Sequence, residues 1–396
     1  MISAFAPADP LYSPTWGCRI DLPGDFAYQS GDGKSRFSFR TPDGITLDMT
    51  IYPGARYPNI KALAEDVQKR LGNKGELNFF DYHGKQAALL QLSFSTPSLS
   101  SGTQRGSRAN SGTQNRAIAN EGWALCVELD NSGDIITAPR PLLLALSYGP
   151  AGNASFQSLY LSALDSIAPA VADTLRPGPV TEFTFPRTQT ERITIANSGA
   201  RAQIYNIDAE AAQALVDREF TILRRYENSP LWKEAWIRFY RAIYRDAFDR
   251  LADIAFALER EWNNAGLTQT AARSPKEPDT LPAQALAWVQ SFTYERNRMG
   301  SDFVNLVSAA AEGRGDCDSR ALLWAVIVQQ ANIPAAIMVS REYSHAMGLA
   351  DIPGSGARFE MEKKKWLVAE TTAPVPLGQI NAQTSETSKW IGIGFN

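Results

Sequence analysis

Residues 313–335 read GRGDCDSRALLWAVIVQQANIPA, a loop rich in Gly and charge that runs straight into an apolar stretch. Periodicity alone does not separate a buried helix from a buried strand, but Cys317 to Asn332 contains no Gly or Pro and is too long for an ordinary strand. The stretch predicts a buried helix. Asp316 is a good N-cap, so Cys317 falls at the first helical position, beside free backbone N–H groups and the positive end of the helix dipole. That placement favours thiolate, the nucleophilic form of cysteine. Asp316 and Asp318 oppose it, because a nearby carboxylate disfavours a second negative charge. A thiol placed this way needs a basic partner.

Working outward, the chain holds two histidines, His83 and His345, and only His345 follows the thiol. It lies in SREYSHAMGLADIPG, after the short strand AAIMVS, and the following RFEMEKKKWLVAETTAP reads as two strands around a lysine turn. In WLVAE the alternation sets Trp366, Val368 and Glu370 on one face. A carboxylate sharing a face with large apolar side chains calls for a partner. Thiol at a helix start, imidazole on a strand and carboxylate on the next strand are the nucleophile, base and base-orienter of a covalent acyl-transfer site. So few histidines make a multi-histidine zinc site a poor fit, and this chemistry needs neither a metal nor an organic cofactor.

The segments GRGDCDSRALLWAVIVQQANIPA, YSHAMGL and KWLVAETT, in that order, resemble the transglutaminase-like superfamily of papain-type cysteine enzymes. AQALAWVQSFTYERN, ahead of the cysteine, is similar to that family's helix of Val-Gln and Tyr, so the resemblance spans Leu281 to Thr372. It implies that Cys317 is the nucleophile, His345 the base and Glu370 the third member. It also implies attack on an amide of a protein or peptide, with hydrolysis preferred to cross-linking. The family usually has Asp where this chain has Glu370, and DIPGSGARFEMEKKK is a longer connection than usual. Inactive members exist, so the alternative is a non-catalytic binding or scaffold protein. Gln290 and Tyr294 are candidate donors to an oxyanion beside the Cys317 backbone N–H, or else core or helix-surface residues.

Upstream, residues 16–169 carry short strand signals: CRIDLP, SRFSFRT, GITLDMTIYP, ELNFFDYHG, KQAALLQLSFS, WALCVEL and RPLLLALSYG. NIKALAEDVQKRLGN, with Asn59 as N-cap, and SFQSLYLSALDSIAP read as helices covering a sheet. Residues 97–121, with SGTQ at Ser101 and again at Ser111, read as a hairpin excursion. Pro177, Pro179 and Pro186 mark a linker. Residues 208–262 predict two helices, the second long, broken near Asn228 to Pro230. Trp232, Trp236, Phe239, Ile243 and Tyr244 form an apolar stripe there, and Arg224, Arg225, Arg238, Arg241 and Arg245 a solvated face.

The expected fold class is α+β throughout. Residues 1–172 form an antiparallel sheet with covering helices, in an element order that loosely resembles PsbP-type sandwiches. Residues 173–190 are the linker, and residues 191–396 form a transglutaminase-like domain with long helices before its catalytic core. At 396 residues the chain exceeds the roughly 250 to 300 that one core holds, which fits two domains. Lys+Arg 39 against Asp+Glu 42 gives a net charge of -3, so no basic field attracts nucleic acid or anionic lipid. No apolar run approaches the roughly 18 residues of an integral membrane segment. MISAFAPADPLYSPTWG lacks a basic start followed by an apolar h-region. An extracytoplasmic location, periplasm or cell envelope, is preferred to the cytoplasm, and the oligomeric state has no readable code. Cys18 and Cys126 either bridge, if their strands are adjacent, or stay as buried thiols.

Overall fold

Six of the seven strand signals of the N-terminal half, all but CRIDLP, pair with one strand that carries no such signal, Ala27–Gly31, into one antiparallel sheet of seven strands. In chain order these are β1 (Ala27–Gly31), β2 (Arg36–Arg40), β3 (Thr46–Tyr52), β4 (Leu77–Tyr82), β5 (Lys85–Thr96), β6 (Ile118–Glu128) and β7 (Leu142–Pro150). Their spatial order is β1-β2-β3-β7-β6-β5-β4. The central strands are apolar at successive positions because both faces are covered. Helix α1 (Ile60–Arg70), capped by the Asn59 side chain on the Ala62 N–H, lays Ile60, Leu63, Ala64 and Val67 on Leu90, Leu92, Ala124 and Leu144. The alternate residues, Leu125 and Val127 among them, share the other face with Trp123, whose indole N–H donates to Gln157 of helix α2 (Gln157–Asp165) at 3.0 Å. Leu11–Ser13, Cys18–Ile20 and Ile167–Ala168 make a separate three-stranded sheet.

The computed structural model describes residues 10–96, 117–130, 139–268, 280–295 and 302–395. Most of the expected excursion, residues 97–116, lies outside them, and its end is corrected, since β6 is already a paired strand at Ile118. Cys18 and Cys126 are both free and buried, Cys18 on the small sheet and Cys126 on the large one. Among the described residues no helix is long and apolar enough to cross a membrane.

The described residues fall into two compact units, and their boundary differs from a simple linker. Residues up to Val171 and Gly178–Phe183 form the first, and Ala172–Pro177 with the chain from Thr184 form the second. Prolines 177 and 179 do not hold the segment extended. Pro179 instead starts helix α3 (Pro179–Thr184), and buried Asp165 anchors it by accepting from the Thr181 N–H at 2.9 Å and hydroxyl at 2.7 Å.

The second unit is α+β, with several helices around one five-stranded sheet. Where two helices were expected over residues 208–262 there are three: α4 (Asp208–Arg224), α5 (Trp232–Arg250) and α6 (Ala252–Thr268). The extra break falls at Leu251, which is fully buried. Phe239, Ile243 and Tyr244 join the core as the stripe predicts. Arg238 does not belong to a solvated face, because it is 7% exposed and pairs with buried Glu219 at 2.5 Å. Helices α7 (Leu281–Gln290) and α8 (Leu306–Glu312) lead to α9 (Cys317–Gln330).

Helix α9 is buried from Ser319 to Val328, so it shows no amphipathic stripe. It closes with Asn332 in the left-handed conformation, φ 59°, two residues before Pro334. The sheet beside it holds β8 (Ala335–Ser340), β9 (His345–Ala350), β10 (Arg358–Met361), β11 (Lys364–Ala369) and β12 (Ile391–Ile393), in the order β10-β11-β9-β8-β12. The lysine turn is real: Glu362 and Lys363 both have positive φ, 54° and 65°, which suits a two-residue hairpin loop. Gly348 on β9 lets α9 approach, since a Cβ there would meet the Trp324 ring at 2.3 Å. That contact sets the end of α9 beside the end of the sheet.

Candidate active site

Asp316 caps α9 as expected, its carboxylate accepting from the Ser319 N–H at 2.8 Å and the Ser319 hydroxyl at 2.6 Å. Cys317 is therefore at the first helical position. It lines a cavity of about 230 Å³ together with His345, Tyr294, Trp236, Asp302, Asp316 and Asp318. The Ala346 backbone N–H and the Tyr294 hydroxyl hydrogen-bond to its sulfur.

On the sheet, alternation does the positioning. Met347 and Leu349 on β9 and Trp366 and Val368 on β11 pack in one cluster, away from the α9 side. His345 and Glu370 continue those two rows, and Nε2 of His345 lies 2.8 Å from Oε2 of Glu370. The other carboxylate oxygen accepts from the Thr372 N–H at 2.8 Å and its hydroxyl at 2.6 Å. Burial raises the Glu370 pKa, but the bond and charge of His345 and the Thr372 donors outweigh it, and the net result lies below the usual carboxylate value. An ionised carboxylate only accepts, so Nε2 carries the proton and Nδ1 is the nitrogen able to take one.

At the thiol, the opposition expected from Asp316 and Asp318 is joined by burial, which outweighs the helix start. Burial is the largest influence, followed by the charges of Asp318 and Asp316, and together they push the Cys317 thiol well above its ordinary value. A helix terminus contributes only about 0.3–1 kcal/mol at most sites, whereas burial can move a pKa by up to 3–5 units, so burial wins. Cys317 is 7% exposed. Asp316 is itself pushed up to about 7, first by burial and then by Asp318. Asp318 accepts from the Tyr240 hydroxyl on α5 at 2.9 Å, and burial followed by that carboxylate pushes Tyr240 up in turn.

Of the two candidate oxyanion donors, Tyr294 faces the cavity and Gln290 does not. The Gln290 Nε2 donates to the carbonyls of Glu370 and Val375, both at 2.8 Å, and the side chain lines a separate cavity of about 650 Å³. Its donors are engaged elsewhere, which corrects that expectation. Thr372 is not singled out by the sequence, where it is one of two threonines that follow Glu370. Buried Arg320 was also missed; its guanidinium lies 5.4 Å from the Tyr294 ring centroid and donates to the Phe292 and Gly315 carbonyls at 2.7 and 3.1 Å. Position i+3 from the cysteine on an apolar helix was the available signal.

No protein-family model matches this chain, and no curated protein matches it either.

Proposed function

We propose that the chain catalyses cysteine-dependent acyl transfer at an amide of a protein or peptide, with water as the usual acceptor, in a domain of transglutaminase-like arrangement. The observation that carries the reading is the 2.8 Å His345–Glu370 pair, whose histidine lines the same cavity as Cys317. Because burial and carboxylates hold the thiol protonated, the proton leaves during attack rather than before it. Sulfur bonds to the carbonyl carbon while Nδ1 of His345 takes the thiol proton and Glu370 stabilises the imidazolium. The carbonyl oxygen, now an oxyanion, is within the province of the Cys317 backbone N–H and the Tyr294 hydroxyl. His345 then protonates the departing amine, leaving a thioester. Water, deprotonated by His345, attacks the thioester and releases the acid and the thiol.

A second reading, a non-catalytic binding module, draws its support from the burial of Cys317 among Asp316 and Asp318. Iodoacetamide separates the two. The thiols of Cys18 and Cys126 are pushed up by burial, to about 11 and about 12, and neither lines the cavity that His345 lines. Catalysis predicts that native Cys317 is alkylated at least tenfold faster than either, and that His345→Ala abolishes the difference. Labelling of Cys317 that starts only on unfolding would establish the binding module instead.

A further inference from the structure

The sheet ladder between β9 and β11 ends at the Gly348–Ala369 pair, so Glu370 is the first residue beyond it. Its carbonyl has no strand to bond to, yet its side chain must hold one position to meet His345. The Gln290 amide at the end of α7 supplies that anchor from a distant part of the chain. One nitrogen donates to the Glu370 carbonyl and to the Val375 carbonyl, closing both ends of the 370–375 segment. Within that segment Thr372 then holds Oε1 of the carboxylate and leaves Oε2 to His345. A neutral amide is suited to this: it donates to two carbonyls and brings no charge to compete with the carboxylate for the imidazole.

We infer that Gln290 is a positioning residue, which acts through the Glu370 backbone to keep the carboxylate on Nε2 of His345 and so keeps Nδ1 available as the base. The inference rests on the acyl-transfer reading for its consequence in catalysis, but the positioning is measurable without turnover.

The chain has two histidines, so imidazole 15N shifts from 15N-histidine-labelled protein are assigned with a single His83→Gln control. Native His345 should be held as the Nε2–H tautomer in its neutral form. Gln290→Leu, nearly the same size but without donors, should bring the Nδ1–H form to a comparable population and slow Cys317 alkylation about tenfold. Glu370→Ala should do the same, and the double variant should be no worse than Glu370→Ala alone, because the two substitutions break one chain of contacts. Gln290→Glu, which is isosteric and faces the two carbonyls with acceptors, tests the same point if the leucine variant does not fold. An unchanged tautomer in the folded Gln290 variants, or multiplicative losses in the double variant, overturns the inference. If native Cys317 shows no His345-dependent alkylation, the acyl-transfer reading fails, while the tautomer comparison still decides the role of Gln290.

Discussion

Nε2 of His345 and Oε2 of Glu370 lie 2.8 Å apart, with Glu370 buried and held below its ordinary pKa. That bond fixes the tautomer and supplies the charge that an imidazolium would need. Glu370→Gln keeps the shape and an acceptor but removes the charge, so Cys317 alkylation should fall about tenfold or more, as expected when a base loses its orienting carboxylate. The stability consequence has a definite sign. The folded carboxyl titrates below its unfolded value of roughly 4.3, so its contribution is full above that pH and is lost as pH falls through the folded value. Chemical denaturation from pH 6 down to pH 3 should therefore show a shallower acid loss in Glu370→Gln than in the native chain.

Gly348→Ala tests how α9 is seated on the sheet that carries His345. The added Cβ would lie 2.3 and 2.5 Å from two carbons of the fully buried Trp324 ring, and the indole is tied by its N–H to the Pro282 carbonyl at 3.0 Å. The ring cannot swing aside without losing that bond. Overpacking of this kind costs about 1–3 kcal/mol or more, which urea unfolding measures directly. A loss below about 0.5 kcal/mol, within the range of surface substitutions, would mean that helix and strand are less closely fitted than this contact indicates.

What the sequence reveals follows how local the determining interaction is. The α9 start is legible because Asp316 caps a residue three positions away, and the rows holding His345 and Glu370 are legible because strand alternation repeats every two residues. The break at Leu251 has no Gly or Pro to announce it, since a buried leucine that turns the chain looks like a buried leucine that continues it. Arg238 reads as solvated until Glu219, on the preceding helix, is brought against it. Gln290 reads as either an oxyanion donor or a core or helix-surface residue, because its two acceptors are 80 and 85 positions away. Burial of the Cys317 thiol is hidden from the sequence for a related reason. The dipole at a helix start is a local property, whereas burial is the sum of everything packed around it.

The buried charge cluster at the foot of α4 makes a separate demand on stability. Asp208 accepts from Arg250 at 2.5 Å and from Arg187 at 2.9 Å, while Asp246 accepts from the other two guanidinium nitrogens of Arg250 at 2.9 Å each. Removing one partner leaves a buried guanidinium short of charge, which typically costs 3–5 kcal/mol, or about 3 kcal/mol here because Asp246 remains. Asp208→Ala should show that loss in urea unfolding, with the 15N tautomer signature of His345 intact in the folded fraction. A variant as stable as the native chain would show that Asp246, with Asp249 pairing Arg187 at 2.5 Å, suffices.

Asp316→Asn asks which of its two roles Asp316 performs at the thiol. Asn caps a helix about as well as Asp, so the bond to the Ser319 N–H should survive and far-ultraviolet circular dichroism should be unchanged. What disappears is one of the carboxylates that push the Cys317 thiol up, so iodoacetamide labelling at fixed pH should speed up and its pH midpoint should move down. The gain should be largest above about pH 7, where native Asp316 has lost its proton. Stability should change in the matching direction. Native Asp316 keeps a proton that the unfolded chain gives up near pH 4, so the native protein loses stability as pH rises from about 4 to about 7 and then levels off. The asparagine variant should lack that decline. If labelling slows instead, the cap geometry governs the sulfur more than the charge does, and the cavity's acidity is incidental to the reactivity of Cys317.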